Sequence, residues 1–139
     1  MTVCSVFLDT AFETAHENMA FDDHLFSKLD ADSSQRFFRF YTWKNPGLTF
    51  SYNKRLPTSL ASIDHSQRVS GGGIVFHSPG DIVFSITARL DDLYFPRRFK
   101  DKVSFVSEKL TQVIQHTTGY PLDTSIESSE KNILFVQED

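Results

Sequence analysis

Thiol chemistry is nearly absent from this chain: its 139 residues include one cysteine, Cys4. A single thiol makes no internal disulfide and no cysteine-based metal cluster, which fits a reducing, cytoplasmic setting. Free cysteine is among the most buried residue types, so Cys4 is expected as a buried structural thiol. Long apolar runs are missing too. No stretch approaches the ~18 apolar residues that suggest a membrane span. The opening segment, residues 1–9, has no basic flank and only a short apolar run, so it reads as a first strand rather than a signal peptide. Basic charge is in deficit, with 14 Lys and Arg against 18 Asp and Glu for a net −4. That balance argues against a surface that coats nucleic acid. Glycine is scarce at six residues, and half of them sit in one triplet.

What is present has the composition of a folded domain, 40% hydrophobic and 23% charged, and the length suits one domain with its own core. Fourteen phenylalanines predict an aromatic-rich interior. Thr10-Ala11-Phe12-Glu13 has the form of a capping box and predicts a helix start. Phe12, Ala15, Met19 and Phe26 make an apolar stripe, while Ala15, Asn18, Asp22 and Asp23 read as a solvated polar face in preference to one that lines a pocket; polar residues 30–34 end the helix. Arg36–Trp43 and Leu48–Tyr52 read as strands joined through Asn45-Pro46-Gly47, hence a hairpin, with Trp43 in the core. A short helix is expected over Thr58–His65. Ile74–Phe76 and Asp81–Thr87 read as a second strand pair turned at His77-Ser78-Pro79-Gly80. Phe99, Val103, Val106, Leu110 and Val113 recur at helical spacing with Gly119 as the C-cap, and Ile133–Val136 reads as a last strand. Helices set between strand pairs predict an α+β fold.

The chain's chemistry concentrates in Arg68-Val69-Ser70-Gly71-Gly72-Gly73-Ile74-Val75-Phe76-His77. Three adjacent glycines forfeit chain entropy and supply nothing to pack, but they let backbone N–H groups converge on an anion. No Gly-Lys-Ser/Thr follows, so this is not a P-loop, and a strand rather than a helix comes next, so it is not a dinucleotide fingerprint. An anion cradle beside Arg68 and a ligand-free glycine hairpin both remain open on these residues alone. The five histidines, His16, His24, His65, His77 and His116, show no zinc spacing, and no metal-ligating set is expected.

This ten-residue motif strongly resembles the lipoate–protein ligase A family. Glu17-Asn18-Met19-Ala20 resembles the family's first helix, and Phe40–Pro46 its tryptophan-bearing strand and turn. The resemblance implies a class II biotin/lipoate ligase-like catalytic domain over residues 1–139: a mixed, largely antiparallel sheet with packed helices, incomplete at the C-terminus. It implies activation of lipoate by ATP and magnesium to lipoyl-AMP. The lipoyl group then passes to a lysine of a carrier, the lipoyl domains of 2-oxoacid dehydrogenase complexes or the glycine cleavage H protein. Carried over by motif position, Arg68 contacts the adenylate, Gly71 and Gly72 shape the lipoate tunnel, and Gly73, Ile74, Val75 and Phe76 lend nucleotide-contacting backbone, with His77 counted among the cofactor-binding residues. Gln67 replaces a common first arginine, and Ile133 follows Asn132 where the family has aspartate. Lys131 precedes that pair, whereas the family's catalytic lysine follows it, so no catalytic residue is assigned. A non-catalytic, truncated homologue that binds a lipoyl-type ligand or a partner is the alternative, and His77-Ser78-Pro79-Gly80 faintly suggests an octanoyl transferase relative. An open sheet edge would favour self-association or a second subunit.

Overall fold

A computed structural model describes residues 4–10, 12–29 and 34–121. They divide between two compact units, one running to Arg89 and the other beginning at Leu90. The expected strand at Ile133–Val136, together with Lys131, Asn132 and Ile133, lies outside the described residues, as does most of the 30–34 segment.

The first unit holds six strands and one helix: β1 (Cys4–Asp9), α1 (Ala15–Ser27), β2 (Gln35–Thr42), β3 (Gly47–Ser51), β4 (His65–Arg68), β5 (Ile74–His77) and β6 (Ile82–Thr87). They form two mixed three-stranded sheets, ordered β1-β2-β6 and β4-β3-β5. In each sheet the middle strand pairs parallel on one side and antiparallel on the other. The α+β class is as expected, but neither predicted hairpin forms. β2 does not pair with β3, nor β5 with β6; instead β2 pairs with β6 and β3 with β5. Thr42 faces Ile82 in the first sheet and Gly47 faces His77 in the second, so both partners advance by five residues and one register runs through. The Pro-Gly turn and the Asn45-Pro46-Gly47 break are therefore opposite sides of a corner in one long antiparallel ribbon. Trp43 N–H donates to Asp81 O at 3.2 Å, and Gly80 N–H donates to Trp43 O at 2.9 Å, across that corner. Gly80, at φ 91°, occupies the left-handed position that a turn with proline just before it requires.

The helix α1 begins four residues later than predicted. Two overlapping S/T-x-x-E patterns compete here, and Thr14-x-x-Glu17 closes the capping box. Thr10 is otherwise engaged, accepting a 2.6 Å bond from Arg39 Nε. On the polar face of α1, Asp23 is exposed as expected, but Asn18 and Asp22 are turned inward. Asn18 is fully buried, and both its side-chain and backbone oxygens accept from the Arg39 guanidinium at 2.7 and 2.9 Å. Asp22 completes the cluster at 3.0 Å from Arg39 and also accepts from Ser85 at 2.7 Å. A buried arginine thus ties α1 to the first sheet, with the Tyr41 ring 3.7 Å from its guanidinium carbon. At its start α1 reaches the second sheet, where Ala15 N–H donates to the Asp64 carboxylate at 2.7 Å.

The core between helix and sheets is Ala15, Met19, Tyr41 and Trp43, with Val83 against it. Two of its residues, Tyr41 and Trp43, are aromatic, in line with the expected aromatic-rich interior. The phenylalanines contribute less: among the described residues Phe37 is the one that is buried, whereas Phe7, Phe40 and Phe76 are exposed. Cys4 is exposed as well, on the outer strand β1, so the buried-thiol expectation fails. Thr58–His65 holds one 3₁₀ turn, Thr58–Leu60, because His65 begins β4. The second unit contains α2 (Phe99–Thr118), closed by Gly119 in the left-handed conformation as predicted. Among the described residues no helix is long and apolar enough to cross a membrane.

Two substitutions test this frame. Replacing Arg39 by leucine leaves Asp22 and Asn18 without their partner, and should lower unfolding free energy by roughly 3–5 kcal/mol in urea titrations. A Cβ on Gly47 would sit 2.9 Å from Trp43 Cζ3 and 3.2 Å from Asp64 O. Gly47→Ala should therefore cost about 1–3 kcal/mol by the same measurement, through overpacking at the corner.

Candidate functional site

β4 and β5 lie on opposite sides of β3, so the chain from Val69 to Gly73 must cross the carboxyl end of that strand. It covers about two strand spacings, roughly 10 Å, in a short, sharply bent connection. The Tyr52 N–H meets Ser70 O at 3.4 Å beneath it. Gly72 takes φ 102°, a conformation that disfavours any other residue. Gly71 and Gly73 are different: neither has a positive φ, and a Cβ on either would meet nothing within 4 Å. The protein's own packing does not demand glycine there. Among the described residues, none accepts from the Gly71 or Gly72 N–H. The loop therefore offers open space and uncommitted backbone donors side by side, which is how a backbone nest meets an anion.

Arg68 lies under this loop and is itself buried. Its Nη2 donates to Gly71 O at 3.0 Å and Gly73 O at 2.7 Å, and its Nη1 donates to Thr49 Oγ1 at 3.1 Å. Its Nε is buried with no acceptor among the described residues. Burial lowers its pKa from the ordinary arginine value, yet the guanidinium stays charged. Arg68 thus does two things: it holds the loop's carbonyls and places a positive charge behind the loop's N–H groups.

His77 occupies the other end of β5. Its ring stacks on Trp43 with centroids 4.1 Å apart and planes 10° apart, and its Nε2 lies 3.2 Å from Thr49 Oγ1. Burial, opposed by Asp81 and reinforced by Arg68, pushes its pKa down to about 4. The imidazole is therefore neutral at physiological pH. Trp43 is a core residue, 1% exposed, but it also forms the platform under His77, and its Nε1 has no partner among the described residues. Alternation along β5 puts Val75 and His77 on one face and Ile74 and Phe76 on the other. Arg68, Val75 and His77 are thus brought together with Thr49, while Ile74 and Phe76 reach the same side through backbone alone. Thr49 itself carried no signal in the sequence, where it reads as one small residue of an alternating strand.

A separate cavity of about 350 Å³ lies where α1 meets β3 and β4, lined by residues including His16, Asp23, Phe50 and His65. Burial first, and the like charge of Asp22 second, raise the Asp23 pKa. Among the described residues, no group of three or more His, Cys, Asp or Glu side chains could hold a metal ion.

Residues 14–132 match the model of the lipoyl protein ligase A/B catalytic domain. The chain belongs to that family. The octanoyltransferase LipM of Clostridioides difficile (strain 630) is 26% identical over 102 residues, a match covering 68% of this chain and 37% of LipM. Lipoate-protein ligase A solved with ATP superposes with a TM-score of 0.63 at 18% identity, covering 96% of this chain and 56% of that one. A Thermoplasma acidophilum protein solved with bound lipoic acid gives 0.63 at 18% identity, covering 92% and 55%. A bi-partite lipoate protein ligase and its E2 lipoyl domain, from the same organism, gives 0.58 at 18% identity, covering 87% and 47%. At such identities the structural likeness establishes the fold. The family domain described here spans between about a third and somewhat over half of these proteins' lengths.

The depressed pKa of His77 has a sign that can be measured. Unfolded, the ring takes up its proton near the ordinary histidine value of 6.5; folded, it resists until about 4. Its contribution to stability is therefore intact above pH 6.5 and lost progressively as the pH falls toward 4. The urea midpoint of the native chain should fall across that window by more than that of His77→Gln, and the two curves should run parallel above it.

Proposed function

We propose that this chain binds a lipoyl-class acyl acid at the glycine loop and acts as a lipoate–protein ligase-like protein. The reading is carried by one observation: open space at Gly71 and Gly73 beside free backbone donors, with the buried Arg68 cation behind them. In the reaction proposed, a lipoate carboxylate oxygen attacks the α-phosphorus of ATP and the bond to pyrophosphate breaks, giving lipoyl-AMP. A lysine amine of the acceptor then attacks the acyl carbon, and AMP leaves with the phosphate oxygen as an amide forms. Both steps gather negative charge, which backbone N–H groups and a guanidinium can offset. The neutral His77 and the Trp43 ring would form an uncharged wall at the far end of β5. Gly73, Ile74, Val75 and Phe76 would contribute backbone to the nucleotide.

Magnesium binds readily through nucleotide phosphates and needs no protein cage, so the lack of a three-ligand set among the described residues is compatible with it. No described residue is assigned as nucleophile or base. The acceptors proposed are the lipoyl domains of 2-oxoacid dehydrogenase complexes or the glycine cleavage H protein, in a cytoplasmic setting. The Thermoplasma structure, a bi-partite ligase with its E2 lipoyl domain, supports both a carrier-domain acceptor and a second subunit for this chain.

The similarity to the octanoyltransferase LipM supports a second reading, transfer of an octanoyl group, for which an already activated thioester donor would make ATP unnecessary. The two separate in one experiment analysed by mass spectrometry. The chain and a lipoyl carrier domain are incubated in parallel, either with lipoate or octanoate, ATP and magnesium or with an octanoyl thioester and no nucleotide. The ligase reading expects acyl-AMP, reduced about 100-fold or more in Arg68→Ala, the scale of losing an oxyanion-type donor. Acyl transfer from a thioester with no nucleotide would replace it by the second reading. Lipoate binding by calorimetry without adenylate formation would leave a non-catalytic binding module.

A further inference from the structure

Thr49 is 2% exposed in the middle of β3. β3 is the central strand of its sheet, and its pairings put Gly47 opposite His77 on one side and Ser51 opposite Arg68 on the other. Thr49 stands two residues from each of these positions and is the diagonal neighbour of both polar side chains. Gly47 offers no side chain to contact His77, so the hydroxyl that reaches the ring is that of Thr49. Its oxygen lies 3.1 Å from Arg68 Nη1 and 3.2 Å from His77 Nε2.

We propose that Thr49 is a positioning residue of the glycine-loop site, its hydroxyl setting the guanidinium of Arg68 and the tautomer of His77 together. Arginine can only donate, so the Thr49 oxygen accepts from Nη1. The hydroxyl proton then has one acceptor in reach among the described residues, His77 Nε2. Leaving that buried proton without an acceptor would cost its desolvation. The assignment follows from the network: His77 carries its own proton on Nδ1 and turns the Nε2 lone pair to Thr49. The ring is thereby locked flat against Trp43 and the guanidinium is held at Nη1 while Nη2 holds Gly71 and Gly73. Without the hydroxyl, Arg68 would have two unpartnered nitrogens, Nη1 and Nε, and the loop would lose its fixed anchor. The effect on ligand rests on the lipoyl-acid reading above; the effect on His77 and the loop does not.

The test compares Thr49→Val, which keeps the shape, with Thr49→Ser, which restores the hydroxyl, in the full chain. Nitrogen NMR of the imidazole should show the Nδ1-protonated tautomer in the native chain and in the serine variant, and its loss in the valine variant. Amide exchange at Gly71–Gly73 should accelerate at least about tenfold with valine and recover with serine, and lipoic acid affinity should follow by a similar factor. A native ring protonated on Nε2 overturns the proposal, whether or not the valine variant folds. So does a valine variant with unchanged tautomer and exchange, or one whose tautomer shifts while loop exchange is unaltered. Failure of lipoic acid to bind the native chain overturns the ligand reading alone, and the imidazole and exchange results still decide Thr49.

Discussion

The arrangement of the first unit depends on burying one guanidinium. Arg39 is wholly inaccessible, and all three of its nitrogens find partners on the α1 side: Thr10, both oxygens of Asn18, and Asp22. A buried charge is tolerable when paired and hydrogen-bonded, and costly when one partner is removed. That requirement fixes α1 over the first sheet. The Ala15–Asp64 bond then fixes the helix start against the segment entering β4, and β4 leads directly to Arg68 and the glycine loop. The loop is thus held through a helix that bridges two sheets.

Of the buried arginines in the first unit, Arg39 and Arg68 make an instructive contrast. Arg39 is saturated by partners that no ligand would displace. Arg68 is tied to loop carbonyls and a threonine, with its Nε left unpartnered. A half-satisfied buried cation is an expensive feature in a purely structural role. Beneath open glycines and free amide donors it has an electrostatic use, keeping a positive potential where an anionic group would sit. His77 fits the same design, because burial and the nearby Arg68 charge keep it neutral and leave the arginine as the site's cation.

Much of this was legible in the sequence, for identifiable reasons. α2 and its Gly119 cap follow from a 3.6-residue period and a left-handed terminus, both local properties. The strands β2, β3, β5 and β6 lie where alternation and turn residues placed them. Their pairing was misread, because a turn between neighbouring strands normally closes a hairpin, whereas here two breaks face each other and bend one ribbon. Close approach of Gly47 to Trp43 makes that corner, and no short-range pattern encodes it. The capping box failed for a similar reason: Thr10 and Thr14 carry equivalent local signals, and Arg39, almost thirty residues away, claims Thr10.

By itself, the sequence determined most element types (β4 excepted), the α+β class, the family motif from Arg68 to His77, and the glycine triplet as the place where backbone chemistry would concentrate. These depend on periodicity, turn preference and residue identity, all of which act over a few positions. Tertiary structure decided which strands pair, that Asn18 and Asp22 face inward, that Cys4 is exposed, and that Arg68 grips the loop it precedes. It also brought Thr49 between Arg68 and His77. Docking of α1 on Arg39 turns Asn18 and Asp22 inward, and sheet register places Thr49. Register juxtaposes residues tens of positions apart, and one hydroxyl on a central strand then serves two neighbours at once.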